Sequence, residues 1–225
     1  MIIPAYNTIY SRVNTSGAAG SFEYTPIDNN YSMEFDGTNY IDVGNPTELQ
    51  ITGALTISFW FKSSSTSDQT AITKDNLSSR CFGVWTNTYA SANTISFLIW
   101  SSGVLYSVES ASNYNDGNWH NVICIFTPST SIQIYVDGSL DGSNTTSIPS
   151  TIDNDPVNFV IGSLVSSGVP LYNLNGSIDE VAAWNSVLSE GTIEAIYNTT
   201  NDNPGKVADL SETPEGTPTA WYRFE

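Results

Sequence analysis

Positive charge is scarce in this chain of 225 residues: Lys and Arg together number 6 against 23 Asp and Glu, giving a formal charge of −17. Such a surface repels phosphate backbones and anionic headgroups, which argues against nucleic acid as a partner and against docking on acidic membranes. Calcium stays open, because hard cations seek carboxylates. Cysteine is nearly missing too. Cys81 and Cys124 are too few for a disulfide framework or a thiolate metal cage. Both lie in apolar runs, "RCFGVW" and "NVICIF", where buried free thiols are expected and a bridge between them is the alternative. No stretch approaches the roughly 20 apolar residues of a membrane-spanning helix. The opening "MIIPAYNTIYSRVNTSG" has neither the basic start nor the apolar run of a secretory signal.

What the chain does have is material for a core. Hydrophobic residues make up 40% and aromatics 12%, and a chain of this length buries about 70% of its unfolded surface. Short runs rich in β-branched and aromatic residues recur between Gly, Asn, Asp, Ser and Pro clusters: "YSMEFDG", "LTISFWFKS", "CFGVWTN", "TISFLIWSS", "WHNVICIFT", "SIQIYVDGSLDG" and "GSIDEVAAW" among them. That rhythm predicts an antiparallel sandwich or barrel and excludes βαβ units. In "SIQIYVDG", Ile132, Ile134 and Val136 alternate with Gln133 and Tyr135, and Asp137-Gly138 supplies the left-handed turn of a tight hairpin. One segment breaks the pattern. In "SVLSEGTIEAIYN", Leu188, Ile193, Ile196 and Tyr197 line one face of a short helix, with Ser189 as its N-cap.

Three parts follow: an N-terminal arm over 1–30, a sandwich over 31–198, and a C-terminal extension over 199–225 that ends in an aromatic strand. No fragment of the whole domain repeats. The terminal "AWYRFE" either opens a further domain or supplies a strand beside the N-terminus.

Placed in order, six pieces resemble the laminin-G-like and pentraxin group of concanavalin A-like lectin domains over roughly residues 32–198. They are "SMEFDGTNYIDVG", "LTISFWFKS", "DGNWHNVICIF", "IQIYVDGSLDG", "FVIGS" and "LNGSIDEVAAWNSVLSEGTIEAIYN". The resemblance implies an all-β fold: two antiparallel sheets in a jelly-roll sandwich, with one short helix near the C-terminus. On it, Phe35 and Trp119 anchor the core, Asp36-Gly37 and Asp137-Gly138 turn the chain, and His120 alternates outward from Trp119 and Val122 in a structural or surface role.

The same fold serves glycoside hydrolases, whose retaining members need two carboxyls about 5–5.5 Å apart. The family's E-x-D-x-x-E strand is missing here, so no catalytic residue is assigned. The resemblance also implies two calcium sites. For the pentraxin double site, Asp75-Asn76 matches the first position, but the loop "IGSLVSSGVPLYN" has no carboxylate for the second. For a single structural calcium, Asp36 in the opening turn and Asp179 in the late "DEV" strand stand at matching positions. Carbohydrate would be met by aromatics of the middle strands: Trp85, Tyr89, Trp100, Tyr106 and Tyr114, with Trp100 and Tyr89 bordering loops and preferred.

The expected function is non-enzymatic. It is a virion structural or adhesion protein, a phage capsid decoration or tail appendage, arrayed with other virion proteins and binding host-surface glycans. A carbohydrate-binding module of a larger secreted enzyme, or a purely structural cementing domain, are the alternatives.

Overall fold

The computed structural model describes residue 29 and residues 31–87, 93–198 and 207–224. The chain opens with β1 (Met33–Asp36), β2 (Ile41–Gly44), β3 (Leu55–Lys62), β4 (Gln69–Asp75) and β5 (Arg80–Asn87). It continues through β6 (Ser96–Ser101), β7 (Val104–Glu109), β8 (His120–Thr127), β9 (Ser131–Val136) and β10 (Ser139–Asn144). Then come β11 (Phe159–Ile161), β12 (Leu164–Ser166), β13 (Val169–Leu171), β14 (Asn175–Trp184), α1 (Glu190–Tyr197) and β15 (Ala220–Tyr222).

Two antiparallel sheets face each other. One runs β1-β14-β3-β8-β9-β10, with β15 also on β14, and the other runs β2-β11-β4-β5-β6-β7. Alternation explains which side chains meet between them. Leu55, Ile57, Phe59 and Phe61 of β3, with Val122, Cys124 and Phe126 of β8, pack against Phe82, Val84, Phe97 and Ile99 of the second sheet. The two free thiols, Cys81 and Cys124, are both buried.

Several strands are buried along their whole length because both of their faces are covered. On the far side of the first sheet, Ile123, Ile125, Ala182 and Trp184 lie under Leu188, Ile193 and Ile196 of the α1 segment. Ser189 caps that helix, its hydroxyl accepting from the Thr192 amide. On the far side of the second sheet, Trp85, Leu98 and Trp100 cluster with Leu164 of the β12-β13 hairpin. The aromatic C-terminal segment returns to the sandwich, where Ala220–Tyr222 pair with Ala183–Val181.

Two expectations are corrected here. Trp119 is 37% exposed and outside the core, whereas Trp184 is 1% exposed. On β8 the inner face carries the even positions, so Val122 and Phe126 point in and the odd Trp119 does not. By the same parity His120 lies on the inner side, its ring 6.1 Å from Phe61 and 5.0 Å from Tyr114.

Phe35, 1% exposed, locks the opening strand to the turn after β11. Gly162 has φ 82°, and a Cβ there would sit 2.4 Å from the Phe35 ring. Both the left-handed backbone and the contact demand glycine. Gly162→Ala is therefore expected to lower unfolding free energy by roughly 2–3 kcal/mol, measured by urea denaturation; a change within experimental error would show that the ring relaxes.

Candidate functional site

Strand directions place one set of loops at a single end of the sandwich: the turn after β1, the β3-β4 and β7-β8 loops, the β9-β10 turn and the segment entering β14. Hydrogen bonds stitch these loops together. Asn173 Nδ2 donates to Gly37 O at 2.9 Å, and the Thr70 amide donates to Tyr172 O at 2.9 Å. Ser63 Oγ donates to Asn175 O at 2.7 Å. The Gly117 amide donates to Ser63 O at 3.0 Å, and Asn115 Nδ2 to Ser65 O at 2.6 Å. Asn87 Nδ2 donates to Ser67 O at 2.7 Å.

Three large aromatics stay exposed on these loops: Tyr40 (36%), Trp119 (37%) and Tyr172 (41%). Tyr172 has φ 53°, a conformation uncommon for a bulky residue. Its ring lies 4.7 Å from that of Trp85, tilted by 55°. Trp85 is 7% exposed and lies in one cluster with Leu98 and Leu164 beneath the hairpin. A buried indole thus backs an exposed phenol. Such a surface offers an apolar ring face beside amides and hydroxyls, the usual lining of a small-molecule site.

The expected aromatics divide. Trp85 supports this rim from below. Trp100 is 4% exposed at the opposite end of its sheet, where the Arg80 guanidinium lies 5.2 Å from its ring. Tyr106 packs on the core from the inner face. Tyr114 sets its ring against His120, and burial pushes its phenol up to about 12. Tyr89 lies outside the described residues. Tyr172, Tyr40 and Trp119 were missed as surface aromatics; the Pro and Asn around Tyr172 in "GVPLYNLNG" mark it as a turn residue.

His120 is held at the same end. Its Nδ1 lies 2.8 Å from Asp137 Oδ2 and its Nε2 3.1 Å from Asp116 Oδ1. The Asp137 hydrogen bond raises the imidazole pKa. Bonds from the Asn118 amide and side chain hold the Asp116 carboxyl at about 2.

Asp36 and Asp179 are not brought together. Register sets Asp36 opposite Asn175, four positions from Asp179 and so roughly 13 Å along the strand. Asp36 caps its own turn, accepting from the Thr38 amide and hydroxyl at 2.9 and 2.6 Å. Asp179 instead neighbours Glu180 in a bulge of β14, where Glu180 has φ 51°. Asn29 Nδ2 donates to both carboxylates, at 3.0 and 2.7 Å, and Trp221 Nε1 donates to Glu180 at 2.6 Å. Arg223 Nε lies 3.5 Å from Glu180. Burial pushes Asp179 up to about 6 and Glu180 to about 7. Among the described residues no three His, Cys, Asp or Glu side chains gather as metal ligands, so the Asp36-Asp179 pair does not fit a calcium ion.

The family model for concanavalin A-like lectins and glucanases matches residues 35–194. The chain belongs to that superfamily, as a laminin-G-like domain. No curated protein matches the chain. Among solved structures, this laminin-G-like domain is similar to the CBM40 of the Ruminococcus gnavus IT-sialidase, solved with α2,3-sialyllactose. The TM-score is 0.58 at 17% identity, covering 79% of this chain and 99% of that one. It is also similar to a heptameric SAP-like pentraxin from Limulus polyphemus, with TM-score 0.54 and 13% identity, covering 85% and 90%. The mouse laminin α1 LG4-5 structure gives TM-score 0.55 and 13% identity, with 92% of this chain and 50% of that one covered. No helix among the described residues is long and apolar enough to cross a membrane.

Proposed function

We propose that this laminin-G-like sandwich is a non-enzymatic carbohydrate-binding module, displayed on a virion, that meets sugar at the loop rim around Tyr172. The observation that carries this reading is the exposed Tyr172 ring backed by Trp85 at 4.7 Å. A ring fixed from behind loses little freedom when a ligand packs on it, which favours affinity. Ser67, Asn173 and the other amides and hydroxyls of the stitched loops supply groups complementary to sugar hydroxyls.

Display on a particle accords with an acidic surface, and arraying many copies raises avidity where one site binds weakly. Mass spectrometry of purified particles tests that half; the chain's absence from them contradicts it. A cementing role without sugar predicts no binding even at millimolar glycan.

Tyr172→Ala is expected to weaken binding at least about tenfold, or 1.4 kcal/mol, in calorimetric titration, with little change in melting temperature. A groove of about 380 Å³ at the opposite end, lined by Glu48, Gln50 and Asn185 among others, provides the control. Asn185→Ala leaves affinity unchanged on this reading; the reverse pattern moves the site to that groove.

A further inference from the structure

We infer that the rim accepts uncharged glycans and rejects acidic ones, sialylated glycans included. This inference rests on the reading that the rim binds carbohydrate, and it concerns which class of carbohydrate.

The rim is lopsided in charge. Asp36, Asp116 and Asp137 stand at the turns and loop ends of this end of the sandwich, and the exposed Asp68 directly precedes β4. Asp36 and Asp116 are held in the ionised form by their own turns, through Thr38 and Asn118 respectively. Against these four carboxylates, Lys62 at the end of β3 is the one lysine or arginine among the described residues at this end.

Every other described cation is committed elsewhere. Lys74 is 1% exposed and donates to Asp155 O at 3.1 Å. Arg80 lies over Trp100 near Asp75, at the far end of β5. Arg223 lies over Trp221 beside Glu180. His120 faces a carboxylate from each ring nitrogen, so it presents no free N–H to a ligand anion.

Recognition of a sugar carboxylate calls for a guanidinium fork or an ammonium that can face it, and Lys62 does not: it follows the inward Phe61 and so points to the outer face of the first sheet, across the sandwich from Tyr172 and Trp85. An acidic glycan would instead bring its charge among aspartates, whose repulsion is felt within about a Debye length of 10 Å at 0.1 M salt. A neutral hexose or N-acetylhexosamine meets the same ring and amides without that penalty. The rim therefore differs in preference from the sialyllactose-bound CBM40 whose fold it shares.

The test is an immobilised array probed with the full chain, carrying neutral oligosaccharides such as lactose and N-acetyllactosamine beside their α2,3-sialylated counterparts. The neutral arm is expected to bind at least about tenfold more tightly at low salt, and the gap to narrow at higher salt as the aspartates are screened. Asp116→Asn is expected to raise the signal on the sialylated arm several-fold while the Asn side chain preserves the turn. Equal or tighter binding of the sialylated arm overturns this inference alone and leaves carbohydrate binding standing. Binding on neither arm overturns both, because the parent reading then fails.

Discussion

Phe35→Ala is expected to lower the free energy of unfolding by about 3–5 kcal/mol, the range for removing a buried aromatic ring from a core. For a domain of this size that corresponds to a fall in melting temperature of about 2–4 °C per kcal/mol. The ring is 1% exposed, so almost all of its surface returns to water or leaves a cavity. Its partner is Gly162 in the turn after β11, where a Cβ would meet ring carbons. The two positions should therefore couple. In the Phe35→Ala background the cost of Gly162→Ala is expected to shrink, leaving chiefly the strain of a left-handed alanine. Additive costs in a double-mutant cycle would show that the two residues do not share one packing contact.

Lowering the pH from 8 to 5 is expected to stabilise the protein, by roughly 2–4 kcal/mol for the buried acid pair. Burial raises the folded-state values of Asp179 and Glu180 to about 6 and about 7, above their ordinary 3.8 and 4.5. The folded state thus binds these protons more tightly than the unfolded chain does. Their stabilisation is fully present below the ordinary carboxylate values and is lost as pH rises through 6 and 7. His120 acts with the same sign, since the Asp137 hydrogen bond raises its value as well.

Glu180→Gln is expected to flatten the dependence between pH 6 and 8, because the neutral side chain has no proton to lose and can still accept from Trp221. The check is urea unfolding across this range at constant ionic strength. A midpoint that rises with pH would contradict the burial of the pair, and an unchanged slope in the variant would assign the effect elsewhere.

Much of the fold was legible because period-two alternation and turn chemistry act locally. Ile132, Ile134 and Val136 point inward as their spacing implies, and Asp137 and Gly138 take φ of 51° and 77° in the hairpin. Ser189 caps α1 from its own side chain. The site was less legible, since alternation tells which side chains share a face and not whether that face is covered. Trp85 and Trp100 do lie off the inner face, yet Leu164 and its hairpin cover them. Unbroken apolar runs such as "FLIW" carried that signal, because a strand wet on one face would alternate with polar residues.

Trp119 shows a simpler failure: the aromatic lies beside a strand, but its parity opposes that of Val122 and keeps it out of the core. Tyr172 is exposed because of a turn, not a strand, and strand patterns could not mark it. The meeting of Asn29, Glu180 and Trp221 depends on contacts 151 and 41 residues apart in sequence, beyond the reach of any local pattern.

The central claim, a carbohydrate site at the Tyr172 rim, is tested most directly by an NMR titration of the isotopically labelled full chain with neutral oligosaccharides to millimolar concentration. The predicted result is a set of saturable amide shifts confined to the stitched loops, centred on Ser67, Tyr172 and Asn173 and lost in Tyr172→Ala. Saturable shifts centred on the Thr47–Ala54 groove, or none at any residue, would contradict it.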